Sequence, residues 1–595
     1  MELKKRSEMD SAFQWDFTAI YPSDEEWAKE LAVLSGEIEK ISEFQGTLDK
    51  GEKKLKAALD FIFGISERVE KVYVYAMLHK SADGSETKHL EMEGKAMSLY
   101  VAFSSAVSFL EPEIIAIPEK KLNKIIESKN MAIYRHYLED TTRCKAHMLD
   151  AKGEKMMAMM ADAAQTPNNV YDALTDVDME LPVIKGEDGE DVQLTSGNFG
   201  LFRISKNREV RTAAFKGMFG TYKKFANTIA ANYAGEVKQH IFNSRVRSYS
   251  SSCEAALFGG NVPVSVYDSL IEAVHNALPA MKKYTELRKK LMGLEDMSMY
   301  DMYVPIVEDV DMKYSFDEAK VLVKEALKPL GEDYGKLLDE AYENKWMDVY
   351  ENKGKTSGAF SCGIYGCHPY VLLNYAGTFD DVSTVAHELG HAMHSYKSDA
   401  AQEYVNHDYK IMVAEVASTV NEVLLTKYML KTVTDKKMRA YILNHFLESF
   451  RTTVFRQTLF AEFEKKAHEL AESGEALTAE ALSKIYRDLE TTYYEGVEVD
   501  ELVDYEWAYI PHFYMNFYVY QYATGFSSAV AIADRIVETG NTDDYMRFLT
   551  LGGSDYPLEE LKVAGIDLTK PAAVESALKV FEDTIDEFAA LIETL

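Results

Sequence analysis

One segment of this chain carries both its clearest helix signal and its clearest chemistry: Thr378-Phe-Asp-Asp-Val-Ser-Thr-Val-Ala-His-Glu-Leu-Gly-His-Ala-Met-His394. Within it lies an H-E-x-x-H pentad, with histidines at 387 and 391. Positions four apart lie on one face of an α-helix, so His387 and His391 can direct ring nitrogens at one point. This spacing predicts a zinc site. Glu388 can instead hold the water bound to the metal and accept its proton.

The flanks of the pentad predict the helix that this geometry requires. Thr378 and Asp381 form the S/T-x-x-D pattern of a helix start. The apolar residues that recur at helical spacing are Val382, Val385, Ala386, Leu389 and Met393. They predict one buried face. Because Gly390 costs a helix ~1 kcal/mol relative to Ala, we expect its missing side chain to admit another backbone or a substrate.

A zinc site also needs a third protein ligand, and two downstream carboxylates are candidates. Glu415 lies in an apolar helical run, where a carboxylate is costly unless it is paired or bound to metal. Glu422 lies further along, in a more polar setting beside Asn421. We favour Glu415, which leaves room after His391 for a loop and the start of a second helix. One Zn²⁺ per chain is expected, with water in the fourth position.

Composition and charge narrow the classes of function. The 595 residues are 47% hydrophobic and 27% charged, as in globular proteins, and the net charge of −32 repels phosphate backbones. We therefore expect no nucleic-acid partner. The N-terminus lacks the apolar segment of a signal peptide, and the chain lacks a run of about 18 apolar residues, so no membrane partner is expected. Four cysteines are too few for a disulfide framework, which favours free thiols and a cytoplasmic location.

The order of patterns along the chain predicts a mostly helical protein. Helical periodicity dominates residues 13–180, and two short apolar runs around a Gly-Glu-Asp-Gly turn at 181–195 predict a hairpin. We place an approximate boundary there, between an N-terminal helical region (1–180) and a catalytic region (181–595). Further strand candidates are 299–306, 346–350 and 370–375. The last of these precedes the pentad helix, where it is either structural or presents its edge to an extended peptide.

An aromatic segment near the C-terminus carries hydrogen-bond donors. It reads Ile510-Pro-His-Phe-Tyr-Met-Asn-Phe-Tyr-Val-Tyr-Gln-Tyr-Ala-Thr-Gly-Phe526. Peptide hydrolysis at zinc requires a donor that shares the negative charge of the developing oxyanion. The candidates are His512, Tyr514, Tyr518, Tyr520 and Tyr522. Spacing by four predicts that Tyr514, Tyr518 and Tyr522 form one helical face, which we favour over a purely structural aromatic core.

Taken together, these segments resemble the oligoendopeptidase F branch of the thimet oligopeptidase and neurolysin metallopeptidase family. The residues that carry the resemblance are 374–394, 414–419 and 512–525, with further similarity at 15–22 and 455–463. The resemblance covers nearly the whole chain, in order.

The resemblance implies a fold, an activity and residue roles. The fold is a two-lobed helical zincin with a deep substrate channel and a small β-sheet next to the active-site helix. The activity is zinc-dependent hydrolysis of internal bonds in short unfolded peptides. His387, His391 and Glu415 match the zinc ligands, and Glu388 matches the catalytic base. The residues that match the region holding substrate and stabilising the transition state are His512, Tyr514, Tyr518 and Tyr522.

Two other functions remain open from sequence. A carboxypeptidase or dipeptidyl carboxypeptidase on a similar helical body would use the same zinc motif, but it would require a free carboxylate at the end of its substrate. A peptide-binding protein without activity would share the fold. Because every catalytic element is present, we favour the endopeptidase.

Overall fold

The computed structural model describes residues 3–307 and 313–595, apart from the side chain at position 151. Most of this part is α-helical, which confirms the predicted fold class. The α-helices are α1 (Asp24–Ile38), α2 (Glu52–Ala82), α3 (Thr87–Val107), α4 (Leu110–Ala116), α5 (Glu119–Ile126), α6 (Arg135–Arg143), α7 (Ala151–Ala164), α8 (Thr166–Asp172), α9 (Ser196–Arg203), α10 (Arg208–Val246), α11 (Ser252–Phe258), α12 (Val264–Asn276), α13 (Leu278–Leu291), α14 (Phe316–Ala326), α15 (Glu332–Glu343), α16 (Phe379–Ala401), α17 (Ile411–Thr432), α18 (Lys436–Phe450), α19 (Arg456–Glu472), α20 (Ala479–Tyr493), α21 (Tyr520–Thr539), α22 (Asp543–Phe548), α23 (Pro557–Val563) and α24 (Ala572–Ile592). The strands are β1 (Val183–Lys185), β2 (Asp191–Gln193), β3 (Met347–Asp348), β4 (Phe360–Cys362) and β5 (Tyr370–Leu372).

The chain divides into two compact units, each assembled from separate parts of the sequence. The first unit consists of Met1–Ala146, Met312–Tyr428 and Ile532–Ile566. The second consists of His147–Asp311, Met429–Ala531 and Asp567–Leu595. The boundary predicted near residue 181 concerns sequence regions and stays a prediction.

In the first unit, helices α1, α2 and α3 pack around a shared apolar cluster. Ser23 caps α1 as its sequence indicates, since its side chain accepts a hydrogen bond from the Glu26 amide at 3.4 Å. Trp27 follows in the first turn and is 3% exposed. Its indole nitrogen donates to the Val72 carbonyl at 2.9 Å, which satisfies the polar atom of a buried ring.

The stretch Thr87–Ala116, which contains α3 and α4, is long and apolar enough to cross a membrane by length and composition alone. Its most apolar window has a mean hydropathy of 1.3 and is 22% buried. Charged residues such as Lys95 interrupt this stretch, so it contains no uninterrupted run of about 18 apolar residues. A single helix of this kind is weak evidence for a membrane span, and the expected lack of a membrane partner stays a prediction.

A three-stranded sheet in the first unit has the order β3-β5-β4. Strand β5 runs parallel to β3 and antiparallel to β4, and its three residues are fully buried. The strand predicted at 370–375 is therefore central and structural, so it has no edge to offer a peptide. Strand β4 lies at an edge of the sheet and packs beside α16. The prediction of a small sheet next to the pentad helix is confirmed.

The sheet is tied to the N-terminal segment through Trp15. The Trp15 indole nitrogen lies 3.0 Å from the carbonyl oxygens of both Trp346 and Val371. Asp348 of β3 is buried and forms an ion pair with Arg6 at 2.6 Å. These contacts connect β3 and β5 to the N-terminal segment.

The second unit is built around the long helix α10, which contacts α8, α9, α19 and α20. Strands β1 and β2 also pack against α10 and form an antiparallel hairpin in which Ile184 pairs with Val192. This hairpin confirms the one predicted at 181–195.

The strand predicted at 299–306 is wrong. Residues Met299–Asp301 form a 3₁₀ turn instead, capped by the reciprocal hydrogen bonds of Ser298 and Asp301. Asp301 is fully buried and forms ion pairs with Arg211 at 2.6 Å and Arg208 at 2.8 Å. These distant arginines outweigh the β-propensity of the aromatic and branched residues that follow.

Candidate active site

Helix α16 carries the pentad and begins as its sequence predicts. Thr378 and Asp381 form a reciprocal capping box, with hydrogen bonds of 3.2 Å and 2.8 Å between amides and side chains. The apolar face is fully buried at Val382, Val385, Ala386, Leu389 and Met393. Burial of that face fixes the rotation of the helix and thereby the direction of His387 and His391.

Helix α17 approaches α16 at Gly390. A Cβ atom at Gly390 would lie 2.5 Å from the Ser418 Cα and 2.6 Å from the Ala417 carbonyl oxygen, closer than any side chain tolerates. Of the two expectations for Gly390, another backbone is therefore the one observed. The contact is reinforced by Asn421, whose amide donates to the Ala386 carbonyl at 3.0 Å.

This close packing brings together three side chains, His387, His391 and Glu415, which we call the metal-ligand group. The Nε2 atoms of His387 and His391 are 3.2 Å apart. Glu415 Oε2 lies 3.4 Å from the first nitrogen and 3.6 Å from the second. One ligand atom from each residue lies within 4.8 Å of the others, so the group could hold a metal ion.

Glu422 has a different place from Glu415. It is hydrogen-bonded to Nδ1 of His387, on the side of the ring opposite the metal-ligand group. A carboxylate accepts hydrogen bonds, so Nδ1 carries a proton, and loss of a proton from the ring would leave the Nε2 lone pair directed towards Glu415. Sequence reasoning considered Glu422 only as a competing ligand. Its i, i+7 spacing from Glu415 places both on one face of α17, and this is the signal from which the second contact could have been predicted.

The charges around the group favour a cation. Burial opposes protonation of His387, but the hydrogen bond and charge of Glu422 outweigh it and raise the pKa of His387 to about 9. Burial and the neighbouring His387 lower the pKa of His391 to about 4. The carboxylates of Glu415 and Glu422 therefore favour a positive charge among these side chains, which a metal cation at the ring nitrogens would supply in place of a proton. The same donor set binds catalytic zinc and leaves one position open, so these residues fit the ion.

Glu388 follows His387 directly in the sequence and lies near the metal-ligand group, but it is not one of the three predicted ligands. It is 6% exposed, and its Oε2 atom has no hydrogen-bond partner among the described residues. Burial raises the pKa of Glu388 to about 7, with a smaller contribution from the charges of Glu415 and Glu422 and against the effect of His387. A buried carboxylate that lacks a partner is costly, and such groups concentrate at functional sites.

The aromatic residues predicted as donors lie in the second unit, at 511–522, which we call the donor segment. The prediction of one helical face for its tyrosines is wrong. Tyr514 ends a 3₁₀ turn, Tyr518 lies in the turn that follows, and α21 begins only at Tyr520. The chain changes direction at Phe517, which has a φ of +53°.

Three of the predicted donors nevertheless lie together. The ring centroids of Tyr518 and Tyr522 are 5.4 Å apart, and those of His512 and Tyr522 are 6.0 Å apart. All three side chains are half-buried, and burial lowers the pKa of His512. A half-buried ring with a polar tip is the form expected of a group that meets a substrate.

The other two candidates point elsewhere. The Tyr514 hydroxyl accepts a hydrogen bond from the Asn232 amide at 3.0 Å, and its ring lies 4.6 Å from that of Tyr171. Tyr520 is 4% exposed and packs 5.2 Å from Tyr267. Both contacts are those of residues that support the segment from within the second unit.

Comparison with known proteins agrees with these features. The sequence model described as Peptidase family M3 matches residues 201–580, and the model described as Oligopeptidase F matches residues 113–180. Oligopeptidase PepF of Bacillus subtilis (strain 168) is 42% identical, over 99% of this chain and 89% of that protein. Oligoendopeptidase F homolog of Lactococcus lactis subsp. lactis (strain IL1403) is 40% identical, over 99% of both.

Solved structures give the same result. A putative peptidase from Chlamydophila abortus superposes with a TM-score of 0.94 at 34% identity, covering 99% of this chain and 100% of that one. Oligoendopeptidase-F from Enterococcus faecium superposes with a TM-score of 0.75 at 36% identity, covering 96% and 100%.

Proposed function

This chain belongs to peptidase family M3, and we propose that it is a zinc-dependent endopeptidase that hydrolyses internal bonds of short unfolded peptides. The observation that carries the proposal is the convergence of His387, His391 and Glu415 beside the buried carboxyl group of Glu388. The names of the relatives, oligopeptidase and oligoendopeptidase, support short peptides as substrates. A cytoplasmic location stays a prediction.

In this mechanism His387, His391 and Glu415 would hold the ion, and Glu422 would keep His387 in the tautomer that presents Nε2. A bound zinc ion supplies a Lewis acid, which lowers the pKa of water and polarises a carbonyl group. Glu388 accepts the proton of the attacking water and returns it to the leaving amine. Because Glu388 is buried, competing hydrogen-bond donors are kept away from the carboxylate oxygen that accepts the proton.

The donor segment has the second role. We assign hydrogen bonding to the developing oxyanion to the group formed by His512, Tyr518 and Tyr522, and support of that group to Tyr514. A hydroxyl or imidazole donor stabilises the tetrahedral oxyanion more than the ground-state carbonyl, so its contribution appears in kcat. The assignment of these four residues rests on the resemblance of the segment and on their grouping within the second unit.

We assign the backbone of the substrate to the edge of β4. An extended peptide can add to a sheet edge through main-chain hydrogen bonds, which are largely independent of sequence. Strand β4 is an edge strand beside the helix that carries the metal-ligand group, whereas β5 is enclosed on both sides. This arrangement suits an enzyme that accepts many short peptides. The two-lobed body and the deep channel that the resemblance implies would exclude folded proteins.

A digest of a mixed peptide pool tests this function. The pool contains pairs of peptides that share a sequence and differ only in whether both ends are blocked, and the products are identified by mass spectrometry. We expect internal cleavage of blocked and unblocked peptides alike, loss of cleavage with a chelator, recovery with zinc, and no cleavage of a folded protein. Cleavage confined to peptides with a free carboxyl end would instead support the exopeptidase.

A further inference from the structure

The turn of the donor segment depends on a residue in a costly conformation. Phe517 has a φ of +53°, in the left-handed region that glycine occupies easily and a bulky side chain does not. Its side chain is 2% exposed. Such a conformation persists only where the surroundings impose it, and it concentrates at functional sites.

Two contacts of Phe517 come from helix α19. The Phe517 amide donates a hydrogen bond of 2.6 Å to Oε1 of Glu464, which is fully buried. The other oxygen of Glu464 has no hydrogen-bond partner among the described residues. Burial raises the pKa of Glu464 well above its usual range, against the effect of the Phe517 amide. Burial therefore disfavours the charged form of this carboxyl group, whose Oε1 accepts the Phe517 amide.

The ring of Phe517 is held by a second residue of the same helix. His468 lies one turn after Glu464, and its ring centroid is 4.6 Å from that of Phe517. Nδ1 of His468 is 2.8 Å from the Glu464 carbonyl oxygen, which only accepts, so Nδ1 carries the proton. Nε2 then accepts from Nδ1 of His240 on α10, at 3.0 Å. Hydrogen bonds at both ring nitrogens thus fix the orientation of the imidazole that packs against Phe517.

The contacts of Phe517 with Glu464 and His468, which we call the Phe517 anchor, determine which side chains of the donor segment are buried. Phe513 and Phe517 point into the core, where Phe513 packs 4.8 Å from Phe463. Phe517 has its left-handed conformation just before α21, and Tyr518 and Tyr522 after it are half-buried, with ring centroids 5.4 Å apart. In a continuous helix the same residues would lie along one face and the segment would have no turn.

We propose that Glu464 is a positioning residue for catalysis: it holds the Phe517 amide in the left-handed turn and, with His468, sets the placement of His512, Tyr518 and Tyr522. This inference rests on the proposed role of the donor segment. Glu464 touches no reacting atom in this account and acts only through the backbone of the segment.

The test compares two substitutions of Glu464 with a matched control. Glu464→Gln keeps an acceptor oxygen in a side chain of the same shape, whereas Glu464→Met removes the acceptor and leaves the Phe517 amide buried without one. Glu490→Met is the control, because Glu490 is equally buried on α20 and neighbours Glu506 and Arg456 instead. Each variant is assayed for kcat, KM, zinc content and Tm, and for hydrogen exchange of peptides that cover residues 511–519.

We expect Glu464→Met to lower kcat at least tenfold with KM changed less than threefold, full zinc content, and exchange in 511–519 at least tenfold faster. Glu464→Gln should stay within threefold of the parent in kcat and exchange. Glu490→Met should lower Tm and leave both kcat and the exchange of 511–519 unchanged. If Glu464→Met fails to fold, Glu464→Ala provides the same comparison, and His468→Leu separately tests the contact with the Phe517 ring.

Unchanged exchange in 511–519 in a folded variant that lacks the acceptor would overturn the anchoring role. Faster exchange with unchanged kcat would overturn the catalytic role of the donor segment and leave the anchor standing. The two failures are therefore distinguishable. Equal losses of kcat in Glu464→Met and Glu490→Met would also overturn the proposal, because they would reduce it to a general effect of buried carboxyl groups.

Discussion

The metal-ligand group and the donor segment place functional side chains on two different kinds of backbone. The first uses two regular helices, α16 and α17, whose close packing at Gly390 brings Glu415 to the two histidines. The second uses a 3₁₀ turn, a left-handed residue at Phe517 and the first turn of α21. The helical site uses two helices that follow one another in the chain, with Glu415 24 residues after His391, whereas the turn requires a buried carboxyl group 53 residues away.

The largest effect is expected at Glu388, the one residue of the helical site that has no role in holding the metal. Glu388→Gln keeps hydrogen-bonding capacity but cannot accept a proton, so kcat should fall about 10³-fold, or ~4 kcal/mol. Zinc content and Tm should match those of the parent enzyme. Steady-state kinetics with metal analysis checks this. Activity within about tenfold of the parent would remove Glu388 from the role of base.

Substitutions of tyrosines in the donor segment should also lower kcat, but by less than Glu388→Gln does. Tyr518→Phe or Tyr522→Phe should lower kcat by about 10²-fold with little change in KM, because loss of one oxyanion donor costs on the order of 3 kcal/mol. Tyr514→Phe should instead lower Tm, since its hydroxyl accepts from Asn232. Unaltered kcat in both Tyr518→Phe and Tyr522→Phe would show that these two hydroxyl groups do not serve the reaction.

The same contrast explains how far the sequence predicted the structure. The helical site followed from local signals: the capping pair Thr378 and Asp381, the apolar stripe, and histidines four apart. Spacing by four is also present at Tyr514, Tyr518 and Tyr522, yet no common face forms. The difference is the Phe517 amide, which is held by a residue 53 positions away. The local periodicity of a sequence does not indicate contacts between residues so far apart in the chain.

The strand expected at 299–306 failed for the same reason. Its residues favour a strand by composition, but Asp301 turns inward to Arg208 and Arg211, about ninety positions earlier in the chain. A buried carboxylate paired with two arginines determines the local conformation more strongly than propensity does. The hairpin at 181–195, whose turn signal is local, was predicted correctly.

The smallest effect sharpens the helical side of the comparison. Gly390→Ala should destabilise the protein by about 1–3 kcal/mol and weaken zinc binding, because the new methyl group would push α17 away from α16. The control is Gly64→Ala, at an exposed position of α2 with no atom within 4 Å of the new Cβ. The control should be stabilised by about 0.5–1 kcal/mol. Denaturant unfolding of both variants measures the difference, and equal stability of the two would contradict the close approach of the helices.

The most direct measurement of the central claim is the zinc content of two variants, Glu415→Gln and Glu422→Gln, dialysed against the same zinc-buffered solutions. The parent should hold one zinc ion per chain. Glu415→Gln should lose most of its zinc, whereas Glu422→Gln should still fill at high free zinc, with an affinity about 10–100-fold weaker, as expected for a residue that only orients His387. Near-stoichiometric zinc in Glu415→Gln, together with loss of zinc from Glu422→Gln, would contradict the assignment of the third ligand.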